Sequence, residues 1–555
     1  MTPVAANWVA LAAVCFAPLA AAGSDRIAAV AEGGGRTGHT KTAVFDLSVD
    51  NHFSLGDSLS AIVVLSLVSD GAQGARDAQT ATNCTGRAGS LQERCGEITF
   101  SAQSGQAVAR ATESFPRMLA QASSPVADDR VGALGRAELF GLAEAKESAS
   151  IRTSGFLEST IAYTYASPTH WSRGVVRGYV AAEGGLAEGA KWKVSGRVDV
   201  DPVYYLSDFY LSSVEKDQRL DAIWGENYID FNAAGLDFRL GAQHIVWGEV
   251  VGLFFADVVS PLDLRDFLLP SFDIIRIPQW AARAEYFHGD SHLELVWIPI
   301  PTFDNIGKPG SDFYPVPLPS PTPEAVAANF RDPQTPARNL ANSNYGVRFN
   351  TLVSGLDMSA FYYRSSSALP TFYRLPPSGA GQPFTFEPRH DRIWQAGGTI
   401  GKDFGNFVLH GEAVYTSGRG YSVTDLTVPS GVVELSTVDY IVSLDVPLGR
   451  DTQLNVQAFE RVFIDGGRGD LQIKTDGFGA SILLATKWGS SWEPQVLWIQ
   501  NFKDAGGLIR PRLAWRLAQN ARLAFGVDIF TGDSDGFFGR YDNRDRLYTE
   551  FRYDF

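Results

Sequence analysis

From residue 152 onward the chain alternates. In Trp192–Asp201 the even positions are Trp192, Val194, Gly196, Val198 and Val200. The odd positions are Lys193, Ser195, Arg197, Asp199 and Asp201. Leu236, Phe238, Leu240 and Ala242 alternate with Asp237, Arg239, Gly241 and Gln243. Val438, Tyr440, Val442, Leu444 and Val446 alternate with Asp439, Ser443 and Asp445. Leu523, Phe525, Val527 and Ile529 alternate with Arg522, Gly526 and Asp528. A strand sends successive side chains to opposite faces, so each run predicts one apolar and one polar face. The runs are about ten residues long, the length of a tilted strand crossing a bilayer. Charges at alternate positions in so many strands are costly between two dry layers and cheap when one face lines water.

The connections carry a second pattern. Short turns are predicted at Glu183–Ala190, Asn232–Gly235, Gly289–Ser291, Val353–Gly355, Asp403–Gly405, Pro447–Arg450, Gly489–Ser491 and Ala518–Asn520. Gly, Asn, Asp and Ser supply the backbone freedom these need. Longer connections lie between them: Pro202–Ile223, Trp247–Pro278, Pro299–Asn342, Ser365–Asp391, Ser417–Val432, Ile464–Lys474 and Thr531–Asn543. Short links near Pro168 and Asp504 fall on the same side as these. Eight hairpins, a strand at Phe156–Ala166 and the final strand make about eighteen strands. The expected fold is all-β: a single transmembrane antiparallel barrel of 16–18 strands over residues 151–555. No fixed short repeat or blade signature points instead to a solenoid or propeller.

The last strand reads the same way. Leu547, Thr549, Phe551, Tyr553 and Phe555 share one side, and Arg546, Tyr548, Glu550, Arg552 and Asp554 the other. The aromatic ending at Phe551, Tyr553 and Phe555 resembles the C-terminal signal by which bacterial outer-membrane barrels are recognised for assembly. The expected location is the bacterial outer membrane, with its lipid and the barrel assembly machinery as partners.

Composition agrees with a wet-lumened barrel. The 555 residues include 55 Gly and 12% aromatics, with only 3 Met. Beyond the N-terminus no apolar run reaches the length of a spanning helix. A net charge of −15 argues against nucleic acid, because phosphate contacts need clustered Lys and Arg. Met1–Ala22 reads as a signal peptide: Trp8–Leu19 is apolar and small residues follow, although the start carries no Lys or Arg. Residues 23–150 are expected to form an irregular periplasmic extension. A lumen plug, or a start assigned upstream of the real one, are the alternatives. A short helix is expected at Leu134–Ser148. Cys84 and Cys95 are near enough in sequence to close a small loop in an oxidising compartment.

One connection stands out. Trp247–Pro278 is too apolar for a loop in water: Leu253, Phe254, Phe255, Val258, Val259, Leu262, Leu264, Phe267, Leu268 and Leu269 need burial. It also carries Glu249, Asp257, Asp263, Arg265, Asp266, Asp273 and Arg276. A segment with both properties is expected to fold into the lumen, with Glu249, Asp257, Asp263, Arg265, Asp266 and Arg276 as constriction candidates. The alternative is a cap over the barrel mouth. The Pro-rich Tyr314–Pro323 is expected to be an extended outer loop.

The run QHIVWGEVVGLFFADVVSPLDLRDFLLP (243–270), followed by IRIPQWAARAEYF (275–287), resembles proteobacterial outer-membrane proteins of the domain of unknown function 1302 family. The matching elements are Trp247-Gly248-Glu249, Pro261-Leu262-Asp263 and Pro278. The similarity covers about 150–555, is sharp over 235–300, and does not extend to the N-terminal segment. It implies a channel-like barrel, in some members working with an inner-membrane exporter of the resistance-nodulation-division type on hydrophobic cargo, and implies no established substrate.

Enzymatic signals are weak. His288 and His292 flank a turn, and histidines on a hairpin need not converge. Gly532-Asp533-Ser534-Asp535-Gly536 matches a nucleophile-elbow spacing without the helix that must follow it. No catalytic residues, metal ligands or cofactor site are expected.

Overall fold

In the computed structural model, side chains are described over 151–555, apart from 187–188, 251–254, 317–321, 323–324, 327–328, 378–383 and 467. Upstream, only the backbone of five short strands is described: β1 (Ala28–Gly34), β2 (Thr40–Asp46), β3 (Ser48–Val49), β4 (Leu59–Ser60) and β5 (Val64–Ser66). The central β1 pairs antiparallel with β2 and parallel with β5, and β3 pairs with β4. The expected signal peptide, the Leu134–Ser148 helix and the Cys84–Cys95 pair lie outside the described residues.

The chain from β6 forms one closed antiparallel barrel of eighteen strands. In order these are β6 (Arg152–Thr164), β7 (His170–Ala187), β8 (Ala190–Val200), β9 (Leu220–Ala233), β10 (Leu236–Gln243), β11 (Gln279–His288), β12 (Ser291–Ile298), β13 (Asn344–Val353) and β14 (Leu356–Ser366). The hairpin of β15 (Thr371–Leu375) and β16 (Thr385–Arg389) stands apart in a connection. The wall resumes with β17 (Arg392–Asp403), β18 (Val408–Ser422), β19 (Val432–Leu448), β20 (Thr452–Phe463), β21 (Gly477–Thr486), β22 (Trp492–Asn501), β23 (Gly507–Ala518), β24 (Ala521–Thr531) and β25 (Arg546–Asp554). β25 pairs with β6, so no edge is left unpaired.

Sequence parity decides which face each residue takes. On β8, Ser195 and Asp199 are buried toward the lumen while Val194 and Val198 lie exposed outside. On β24, Asp528 is fully buried inside and Phe525 is exposed. The outer face carries Trp224, 77% exposed, and Trp280, 63% exposed, among a belt of aliphatic side chains. An apolar surface this extensive needs a covering.

All eight expected turns join hairpins at one end, and all nine other connections lie at the opposite end, the links at 165–169 and 502–506 among them. Some boundaries move. The break expected at Glu183 falls after Ala187, because Gly184 and Gly185 stay paired with Trp192 and Lys191. The loop expected over Ser417–Val432 shrinks to 423–431. A register shift between Thr416 and Arg419 lets β18 and β19 run on beyond the wall. Tyr314 is not part of an extended outer loop. Its ring is 3% exposed and packs edge-on against Phe330 and Phe372, at 5.5 and 5.9 Å between centroids. An aromatic ring with apolar neighbours in reach leaves water even inside a Pro-rich stretch.

Candidate functional site

The connection between β10 and β11 runs inward. It opens on Trp247, which is fully buried and packs on Phe361 and Tyr363 of β14. Gly346 of β13 makes room for it: a Cβ there would lie 2.7 Å from the indole. Ile245, Ala256 and Val259 join the same cluster with Val296, Ile298 and Val414 of the wall. Farther along, Phe267 and Leu269 join Ile499, Leu508 and Phe530 from β22, β23 and β24. Trp247, Ala256, Val259, Phe267 and Leu269 therefore pack on lumen-facing wall residues, whereas Leu264 packs on the loop residues Ile306, Tyr314, Phe330 and Phe372. Leu253 and Phe254 lie outside the described residues.

The charges fall in three places. Glu249 faces the wall of β13, β17 and β18: its carboxylate accepts from Thr399 at 2.7 Å and lies 3.4 Å from Arg348. Beside it the Glu412 carboxylate of β18 accepts the amides of Glu249, of Val250 at 2.7 Å and of Ala256 at 3.0 Å. Glu412 stands near the turn end of β18, so the connection reaches deep into the barrel.

Asp257 and Arg276 pair with each other at 2.8 Å, across the fold of the connection. Asp263, Arg265 and Asp266 face the other wall. Arg265 binds Asp263 at 2.6 Å and Asp221 of β9 at 2.5 Å. Burial raises the Asp263 carboxyl, but the hydrogen bonds and charge of Arg265 outweigh it and hold Asp263 below the usual carboxylate range. Asp266 accepts from Arg546 of β25 at 2.7 Å. These three residues border a small cavity with Arg173, Arg177 and Arg197. Of the six residues singled out from sequence, three thus converge, two pair, and Glu249 stands apart.

Sequence reasoning missed the wall residues that receive them. Arg177 binds Glu158 at 2.7 Å and Asp199 at 2.9 Å. Arg552 reaches Glu158 at 3.4 Å and Asp273 of the connection at 3.5 Å. Asp528 takes both Arg510 at 2.7 Å and Arg546 at 2.9 Å, and Arg510 also donates to the Leu269 carbonyl. Each of these strand residues sits at a lumen-facing position of its alternation, which was the available signal. Which loop residue each meets is not written in that pattern.

The other motifs do not converge. His292 lies 3.0 Å from Glu285 and stacks on Phe287, while His288 neighbours Tyr286. Ser534 is exposed in a loop whose Asp535 pairs with Lys474 at 3.0 Å.

A model of the family described as "Protein of unknown function (DUF1302)" matches residues 158–555. Solved structures similar to the chain include OmpF of Salmonella typhi in complex with daunomycin, at 10% identity and a TM-score of 0.38, covering 73% of this chain and 98% of that one. OccAB3 of Acinetobacter baumannii is similar at 8% identity and 0.44, covering 73% and 99%. OpdK of Pseudomonas aeruginosa with vanillate is similar at 8% and 0.42, covering 73% and 98%. No curated protein matches the chain. The chain belongs to the DUF1302 family.

Proposed function

We propose that this family member is a porin-like channel of the bacterial outer membrane, which passes or exports small or hydrophobic solutes through a lumen narrowed by the 247–278 connection. One observation carries the reading: the connection is tied to opposite walls, by Asp266 to Arg546 on one side and by Val250 to Glu412 on the other. A segment anchored at both sides of a barrel this wide would leave a passage beside it, lined by charges. The apolar outer belt and the closed wall suit a bilayer, where every backbone group needs an internal partner. The net charge of −15 favours cations or neutral molecules. In this reading the protein is not an enzyme and needs no cofactor. Its partners are outer-membrane lipid, the barrel assembly machinery acting on Phe551, Tyr553 and Phe555, and an inner-membrane exporter. Glu249, Asp257, Asp263, Arg265, Asp266 and Arg276 set the selectivity of the narrowed region.

Planar-bilayer conductance tests this. Discrete, voltage-supported conductance is expected from the purified barrel; electrical silence would sink the channel reading. A second reading, a plugged barrel serving as receptor or anchor, is favoured by the apolar packing of Phe267 and Leu269 on the wall. It predicts silence in the intact protein and conductance once residues 250–269 are deleted.

A further inference from the structure

Outward-facing strand positions of the barrel are apolar or small almost throughout, so a cation there is costly without a partner. Two occur side by side. Arg364 of β14 and Arg392 of β17 share the outer-face parity of Tyr362 and Trp394. Trp394 pairs with Arg364 across the two strands, and Arg392 pairs with Ser366. The two arginines are thus diagonal neighbours, about 7 Å apart. Both are half-buried.

Arginines of the lumen, such as Arg177, Arg461 and Arg546, each meet a carboxylate. Among the described residues Arg364 and Arg392 take part in no ion pair. Arg392 is held instead by neutral acceptors: the carbonyl of Ser343 at 2.6 Å, that of Asn342 at 3.4 Å and the side-chain oxygen of Asn344 at 3.2 Å. The neighbouring Asp391 is engaged by the Tyr373 hydroxyl at 2.7 Å. The cation is therefore positioned but not neutralised.

Directly toward the turn end lies a row of aromatics. Tyr362 stacks on Trp394 at 5.9 Å, and Trp394 contacts Tyr415 at 5.0 Å. Tyr345, half-exposed, flanks Arg364 on β13. Rows of Trp and Tyr mark the rim of an apolar belt, where lipid headgroups begin. We propose that Arg364 and Arg392 form a binding site for the phosphate of a lipid in the loop-side leaflet. Two guanidinium groups can clamp one phosphate with paired charge-assisted bonds, while its acyl chains lie on the aromatic row and on the small residues Ala360, Ala396 and Gly398 beyond it. The proposal rests on the reading of the barrel as a membrane-spanning protein. A second copy of the chain is the competing occupant, with the exposed Glu434 of β19 or Glu460 of β20 as the outward carboxylate it would bring, the latter carboxylate lying beside Tyr440.

The full chain, folded in detergent, is incubated with phosphatidate or phosphatidylcholine, and retained lipid is counted by native mass spectrometry. The expected result is preferential retention of phosphatidate, reduced about tenfold or more in the R364Q/R392Q double variant, with R364K/R392K retaining part of it. Heat-modifiable gel migration, recorded on the same samples, reports barrel closure separately. Equal retention by parent and R364Q/R392Q, with both barrels closed, overturns the site and leaves the membrane reading standing. A parent chain without heat-modifiable migration overturns both. A change of oligomeric state in the double variant without loss of phosphatidate assigns the arginines to a contact between copies, and overturns the proposal.

Discussion

Arg546 of the last strand and Asp266 of the inward connection meet at 2.7 Å across 280 residues of sequence. Asp528 completes the group, 2.9 Å from the same guanidinium. Replacing Asp266 by Ala leaves Arg546 with one carboxylate and adds net positive charge beside the proposed passage. Reversal potentials in a salt gradient are expected to move toward anion preference. Arg265→Ala, which frees Asp221 and Asp263, is expected to move them the other way. Losing one partner of a buried charge costs about 3–5 kcal/mol, so heat-modifiable gel migration of both variants checks that the barrel has closed before potentials are compared. Unchanged reversal potentials would discard a selectivity role for this part of the connection.

Glu412 holds the opposite side through three backbone amides. Glu412→Gln keeps the shape and removes the charge, weakening each bond by roughly half. The connection is then less firmly seated. Larger or noisier single-channel currents are expected, with a larger effect for Glu412→Ala and the largest for deletion of residues 250–269. A deletion variant that folds with the parent's conductance would show that the connection does not narrow the lumen.

Asp304 gives the connection a pH dependence. Its carboxyl accepts the Leu262 amide at 2.7 Å. Burial pushes it up to about 7, opposed by that hydrogen bond and by the charge of Arg419. A carboxyl raised in the folded state contributes stability on the acid side, fully present below the ordinary carboxylate value and lost as pH rises through about 7. Asp304→Asn keeps an acceptor for Leu262 without the charge. It is expected to be more stable than the parent at about pH 8, on the order of 1–4 kcal/mol, and nearly equal to it at about pH 4. Denaturant midpoints at the two pH values check this; a constant difference would refute the assignment to Asp304.

Barrel closure runs through Gly155 and Phe555, whose backbones exchange two hydrogen bonds of 2.9 Å. A Cβ at Gly155 would lie 2.4 Å from the Tyr179 carbonyl oxygen and 2.7 Å from the Phe555 ring. Gly155→Val therefore presses on the β7 backbone and on the Phe555 ring, and disturbs the first strand where it meets both neighbours. The fraction of heat-modifiable, folded barrel is expected to fall severalfold, and further when Tyr553–Phe555 are also removed. Wild-type yields from Gly155→Val would show that this seam tolerates more space than its geometry allows.

Strand number, face and turn end were legible because they depend on neighbours in sequence. The parity of Lys193, Arg197 and Asp199 against Trp192, Val194 and Val198 is a property of the extended backbone, whatever surrounds it. So is the preference of Gly, Asn and Asp for the eight turns. Strand ends were less legible. Gly184 and Gly418 look like breaks, yet one stays in the ladder and the other sits at a register shift inside a longer hairpin.

The apolar and charged make-up of Trp247–Pro278 favoured a segment folded into the lumen and left a cap over the mouth as the alternative. Its partners were not predictable in the same way. Asp266 finds Arg546, Val250 finds Glu412, and Asp273 finds Arg552 only because eighteen strands close into a cylinder that brings distant lumen-facing residues around one irregular segment. Alternation along a strand is set by adjacent residues and survives in the sequence. Contact across a lumen is set by where a long connection comes to rest, and that depends on the packing of Trp247 and Phe267 against walls far away in the chain.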